Sequence, residues 1–194
     1  MAAIAACSNG LPEGKRQELQ RLDKLLEQNN ISVRMSRYLY EKSDGISGSG
    51  REKAEELMDF FENPAIRCIF DVSGGDMANE VLGYLDYQKI RESQAVFWGY
   101  SDLTVLLNAV YAKTGKASVL YQVRNLLYDD GPIRQKEFFG WIKEKKEDLF
   151  LLNGNFVQGD HLEGTVIGGN IRCFLYLAGT SYFPVFNVKI LFLV

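Results

Sequence analysis

The chain has 194 residues, 46% of them hydrophobic and 24% charged, with a formal net charge of −3. That length and balance suit a soluble globular protein of one domain, or one domain with part of a second, and the acidic surplus argues against nucleic acid or an anionic membrane as partner. The three cysteines (Cys7, Cys68 and Cys173) are widely spaced with no CxxC, and no apolar run is long enough to span a bilayer, so a reduced, metal-free cytoplasmic protein is expected.

The first element is a short apolar strand, "AIAAC" (3–7), which ends in the turn formers Ser8-Asn9-Gly10. Pro12 then opens a helix in which Leu19, Leu22, Leu25 and Leu26 recur at helical spacing. "ISVRM" reads as a strand, "EKSDGISGSGRE" as a polar loop, and "REKAEELMDFFENP" as a helix that Asn63-Pro64 stops. Next come the apolar strand "AIRCIFDV", the turn Ser73-Gly74-Gly75-Asp76, and a helix over "MANEVLGYLD". "AVFW" is a further buried strand, followed by Gly99-Tyr100-Ser101-Asp102, helix "DLTVLLNAVYAKTG" with its stop at Gly115, and strand "ASVLYQV".

Strands that are continuous apolar runs and alternate with helices predict an α/β fold, an open parallel sheet with helices on both faces. Beyond Tyr128-Asp129-Asp130-Gly131-Pro132 the texture changes to a charged amphipathic segment and then to short Gly-rich apolar pieces. The expected organisation is an N-terminal α/β domain over 1–127, a linker over 128–150, and part of a smaller C-terminal domain over 151–194.

Two turns carry chemistry. In an open parallel sheet ligands bind at the carboxyl ends of strands, and both turns stand there. The glycines of "DVSGGDMANE" let backbone N–H groups approach an oxyanion closely. "WGYSDLT" places a hydroxyl at a strand end with the N–H of Asp102 opening a helix, the layout of a nucleophile elbow for acyl transfer. Taken by spacing alone the elbow is a weak motif and a plain helix cap at Ser101 or Asp102 is the better reading, because Leu103 stands where the elbow motif has its second glycine. GxGxxG and GxxxxGK[ST] are absent, so dinucleotide and P-loop sites are unsupported, and "ACSNGLPEG" is a feeble phosphate loop. The one histidine, His161, lies in a polar loop and reads as a surface residue.

The ordered motifs "FDVSGGDMANEVLGYLDYQKI", "VFWGYSDLTVLLNAVYAKTG" and "GTVIGGNIRCFLYLAGTSYFP…KILFL" resemble the LD-carboxypeptidase family of serine peptidases. That family includes muramoyltetrapeptide carboxypeptidases and microcin C self-immunity proteins, and the "SNG" start with Asn79-Glu80 is closer to the second branch. The resemblance implies a sheet domain like that of class I glutamine amidotransferases, and it implies Ser101 as nucleophile with oxyanion donors at Gly75 and Asp102. Gly74, Asp76 and Tyr100 are the further candidates to line the site. It also implies a cytoplasmic, dimeric exopeptidase with no metal or organic cofactor, acting on a murein peptide or a peptidyl-nucleotide antibiotic.

The departures fall together. Where the family has a glutamate after its "ILFL" strand stands Val194, and its downstream histidine has no counterpart here, since His161 lies upstream. Val185 and Val188 also replace an Asp and a Gly of the family pattern, giving three valines at such positions within ten residues. Asp, Gly and Glu codons each become valine codons by one second-base change, so the expectation is a truncated or unreliable end. Without the histidine base a serine hydroxyl is a poor nucleophile, and the chain as written is expected to be nearly inert. The alternative of a different class is a non-catalytic peptide-binding module on the same fold.

Overall fold

A computed structural model describes every residue of the chain except residue 153. Its centre is a five-stranded parallel sheet in the order β2-β1-β3-β4-β5. The strands are β1 (Ala2–Ala5), β2 (Val33–Met35), β3 (Cys68–Asp71), β4 (Val96–Gly99) and β5 (Val119–Leu120). Each pair runs in direct register, with Ile4 beside Phe70 and Phe70 beside Trp98.

The two faces of the sheet follow from the two-residue period of the strands. Ala3, Ala5, Ile69 and Phe97 point into one core, and Ala2, Ile4, Phe70 and Trp98 into the other. The first core is closed by α2 (Gly50–Glu62), α3 (Tyr87–Glu92) and α4 (Thr104–Thr114). The second is closed by α1 (Arg16–Gln28), whose Leu19, Leu22 and Leu26 form its buried stripe, and by α5 (Gly131–Glu144). With helices on both faces, strands buried on both sides need no polar alternation, which is why they read as unbroken apolar runs.

Helix boundaries follow local chemistry. Ser49 and Glu52 make a reciprocal capping box at the start of α2, while Gly115 ends α4 in the left-handed region at φ 75°. The segment expected as one helix over "MANEVLGYLD" is instead a 3₁₀ helix, Ala78–Tyr84, followed by α3. Asp86 breaks the run by accepting from the N–H groups of Gln88 and Lys89, which starts a new helix there. The segment expected as a linker, 128–150, holds α5, whose Phe138 is fully buried against Phe70, Trp98 and Tyr121.

Beyond it, β6 (Thr165–Gly169) and β7 (Lys189–Leu193) pair in parallel as a separate two-stranded sheet, with α6 (Ile171–Leu175) between them in the chain. This unit packs on α4 through a side chain that makes backbone-like bonds. Asn108 donates to the Gly168 carbonyl at 2.7 Å and accepts from its N–H at 2.9 Å.

Candidate active site

The strand order places the topological switch between β1 and β3, because α1 leaves β1 on one face and α2 returns to β3 on the other. Loops diverge there, leaving a crevice at the carboxyl ends of the strands. The loops after β1, β3 and β4 meet at that point, and hydrogen bonds among them define the site.

Ser101 follows β4 by two residues and has φ 55°, a left-handed conformation rare for a residue with a β-carbon. Gly99 is required beside it, since a β-carbon there would lie 2.6 Å from Cβ of Leu103 as the chain turns into α4. The helix-cap reading fails on the same turn: among the described residues no side chain caps either the 3₁₀ turn Ser101–Leu103 or α4. Backbone strain of this kind costs on the order of 1–3 kcal/mol and concentrates at functional sites.

The Asp102 side chain, 1% exposed, turns inward and accepts from Ser8 Oγ at 2.6 Å and from the Ala78 N–H at 2.8 Å. It thereby ties the serine turn to the loop after β1 and to the helix behind the double glycine. Ser8 Oγ also accepts from the Met77 N–H at 3.3 Å. Next to it, Asn9 Oδ1 accepts from the Asp76 N–H at 3.0 Å, and the Asn9 N–H donates to the Gly74 carbonyl at 3.2 Å. Gly75 has φ 129°, and a β-carbon on it would fall 2.0 Å from Asn9 Oδ1. Gly74 has open space around it. The two glycines are therefore unlike: only Gly75 is forced by its conformation and its neighbour.

A buried polar core stands under this loop. Asp71 accepts from the Cys7 N–H, the Ser73 N–H and Ser73 Oγ, and Ser73 Oγ accepts from the Ser8 N–H. Burial raises the Asp71 carboxyl above its ordinary range, and these hydrogen bonds oppose the rise. Burial also pushes the Cys7 thiol well up, which Asp71 reinforces, so Cys7 is held as a neutral thiol. The Lys53 ammonium, lowered by burial, donates to the Ser8 carbonyl. Together these groups hold the β1 loop against both turns.

The other predicted residues take different places. Tyr100 is 44% exposed at the rim. Asp76 is exposed and pairs with Arg172 of α6 at 2.6 Å. His161 is exposed as well, its Nε2 3.8 Å from Glu163 in a loop beyond α5. Among the described residues no group of three or more His, Cys, Asp or Glu side chains could hold a metal ion. Ser8, Asn9, Thr104, Asn108 and Arg172 also hold the site together, and none of them stands out in the sequence as a site residue. Only "SNG" offered a signal, as a turn rather than as hydrogen-bonding side chains.

A profile of the LD-carboxypeptidase N-terminal domain matches residues 2–121, which takes in all five strands and both turns. The chain belongs to the LD-carboxypeptidase family. Among curated members, the microcin C7 self-immunity protein MccF of Escherichia coli is 30% identical over 179 residues, covering 76% of this chain and 52% of that protein. The murein tetrapeptide carboxypeptidase of Pseudomonas aeruginosa is 26% identical over 165 residues, covering 80% of this chain and 53% of that one. The chain thus spans about half the length of these LD-carboxypeptidase relatives. In three dimensions, the structure of MccF in complex with glutamyl sulfamoyl guanosine superposes with a TM-score of 0.80 at 22% identity, covering 99% of this chain and 67% of that one. The LD-carboxypeptidase fold therefore includes the β6–β7 unit as well as the main sheet. No helix among the described residues is long and apolar enough to cross a membrane.

Proposed function

We propose that this chain carries the nucleophile half of a serine-type carboxypeptidase or amidase, one that cleaves a C-terminal amide or peptide bond of a murein peptide or a peptidyl-nucleotide. The observation that carries the reading is Ser101 in the left-handed region at φ 55°, two residues after the interior parallel strand β4. A plain strand-to-helix turn has no use for such strain, whereas an elbow needs it to hold the hydroxyl clear of the backbone.

In this reading Ser101 Oγ attacks the scissile carbonyl, and the N–H groups of Gly75 and Asp102 receive the developing oxyanion. Gly74, Asp76 and Tyr100 line the approach. The Ser8–Asp102 and Asn9–Asp76 hydrogen bonds fix the separation of the two donors. That is preorganisation: the dipoles are in place before charge develops. Relatives named for a murein tetrapeptide carboxypeptidase and for microcin C7 self-immunity, together with the aminoacyl sulfamoyl nucleoside in the MccF complex, support the two substrate classes. The partners in this reading are such a substrate and a second copy of the chain, in the cytoplasm.

The glutamate and histidine implied for the family have no counterpart among these 194 residues, so the polypeptide alone is expected to hydrolyse at near-background rate. That favours a second reading for the isolated chain, a module that binds the substrate without cleaving it. Equilibrium binding of an L,D-linked tetrapeptide and of a peptidyl-adenylate analogue tests both, with bond cleavage followed in the same samples. Binding that is lost when Gly75 is replaced by a bulkier residue supports the site. Binding indifferent to Gly75, or cleavage indifferent to Ser101→Ala, removes it.

A further inference from the structure

We propose that Arg172 is the anion receptor of this site: its guanidinium takes the negatively charged group that follows the scissile carbonyl, and Asp76 holds that guanidinium until substrate arrives. The inference rests on the peptidase reading above and adds the chemical class that the leaving side of the substrate must have.

The position of Arg172 is tied to the serine turn. Thr104, which opens α4 three residues after Ser101, is fully buried, and its Oγ1 accepts from the Asn170 N–H at 3.0 Å. The Asn108 amide holds Gly168 by both backbone groups. A β-carbon at Gly169 would fall 2.6 Å from Thr104 Oγ1, so the strand end lies directly on the helix that carries the serine. Immediately after Arg172, Cys173 and Phe174 are buried, which fixes α6 and leaves Arg172 pointing outward.

Outward here means toward the double-glycine turn. Nη2 of Arg172 lies 2.6 Å from Oδ1 of Asp76, the residue directly after Gly75. One residue along a chain is a stride of about 3.8 Å. In a substrate, an anion two or three bonds beyond the scissile carbonyl lies at a comparable distance from it. A group seated on the Gly75 N–H would therefore place that anion within reach of Arg172.

The energetics of the pair point the same way. The Arg172 and Asp76 side chains are 60% and 67% exposed, so their ion pair contributes little to the fold. Both remain open to solvent and can exchange partners. A guanidinium presents a planar fork suited to carboxylate and to phosphate-like oxygens. Two sources share this chemistry: the terminal carboxylate of a peptide, and the charged acyl sulfamate or phosphoramidate of a peptidyl-nucleotide.

The test is equilibrium binding to the 194-residue chain at low salt, using two matched pairs of ligands. One pair is L-lysyl-D-alanine and its C-terminal amide; the other is glutamyl sulfamoyl adenosine and an uncharged amide-linked analogue. In at least one pair the anion is expected to bind about tenfold tighter than its neutral partner. Which pair does so identifies the source. Arg172→Gln is expected to bring that ratio near one while leaving the neutral ligand's affinity in place. Arg172→Lys should keep part of it. Asp76→Asn, which removes the competing carboxylate, should tighten the anion several-fold, whereas a merely structural ion pair would make both variants weaken binding alike. A ratio unchanged by Arg172→Gln, or an anion weakened by Asp76→Asn, overturns the role of Arg172 and leaves the peptidase reading standing. If no ligand of either pair binds the parent chain, both fall.

Discussion

Replacing Gly75 by alanine should disturb the site far more than replacing Gly74, although the two are adjacent and look equivalent in the sequence. At Gly75 the added β-carbon would lie 2.0 Å from Asn9 Oδ1 and 2.3 Å from Asn9 Cγ, on a backbone with φ 129°. Asn9 must then swing away and release the Asp76 N–H, a loss of about 1 kcal/mol for one net hydrogen bond. The unfavourable backbone conformation adds about 1–3 kcal/mol, for a total of about 2–4 kcal/mol. At Gly74 a β-carbon meets nothing within 4 Å, so the change should stay within about 0.5 kcal/mol. Urea unfolding followed by the fluorescence of buried Trp98 measures both variants, read as a shift of midpoint at unchanged slope. In an Asn9→Gly background all three close contacts disappear, the 2.9 Å one with Asn9 Cβ included, and only the backbone cost remains, so the Gly75→Ala penalty should shrink by about 1 kcal/mol. Equal shifts for the two glycines, or no relief in the double variant, would refute the claim that Asn9 and Gly75 fit each other.

Ser101→Gly should stabilise the fold by about 1 kcal/mol in the same assay, because glycine accepts φ 55° without strain, and a destabilised variant would remove the argument that strain is stored there. Ser8→Ala should cost about 1–3 kcal/mol, since the buried Asp102 carboxylate loses its hydroxyl donor and keeps the Ala78 N–H. Among the described residues the buried Tyr121 hydroxyl has no hydrogen-bond partner, so Tyr121→Phe should leave stability at pH 7 within about 0.5 kcal/mol. Burial pushes that phenol up to about 12, above the value near 10 of an unfolded chain. Ionising Tyr121 therefore costs nothing at pH 7 and removes stability only as the pH rises from about 10 through about 12, by up to about 2 kcal/mol once solvent screening of the partly exposed ring is allowed for. An alkaline titration of stability should be shallower in Tyr121→Phe. His161→Ala should change neither stability nor ligand binding measurably, given an exposed side chain whose ion-pair partner, Glu163, is exposed too.

Much of this architecture was legible because the strands declare themselves by composition. "CIFD" and "VFWG" are unbroken apolar runs, and a strand covered on both faces needs to be nothing else. The two loaded turns were legible for the same reason, since each interrupts such a run with residues that a buried strand rejects. The helix after the double glycine was not, because its break depends on Asp86 capping a new start, and aspartate has several other uses in a loop. Ser8 and Asn9 were hidden more deeply. They read as turn formers, and the groups their side chains meet, the Asp102 carboxylate and the Asp76 backbone N–H, are 94 and 67 residues away. Periodicity reports which residues share a face; it is silent on which hydroxyl meets which carboxylate across three loops. The burial of α5 was masked by its own charge: Phe138 and Phe139 face the core amid lysines, arginine and glutamates that stay in water. Arg172 carried no signal at all, because the carboxylate it meets lies 96 residues earlier.

The claim that Ser101 is the nucleophile is tested most directly by hydrolysis rates. The assay compares the 194-residue chain, the same chain continued with the family's glutamate and histidine, and that continued chain with Ser101→Ala. Each is given an L,D-linked tetrapeptide and a peptidyl-adenylate analogue. The account predicts turnover by the continued chain alone, with the loss of either the base or the serine costing on the order of a million-fold, because such groups act as a unit. Robust turnover by the 194-residue chain, or by the continued chain without Ser101, would contradict it.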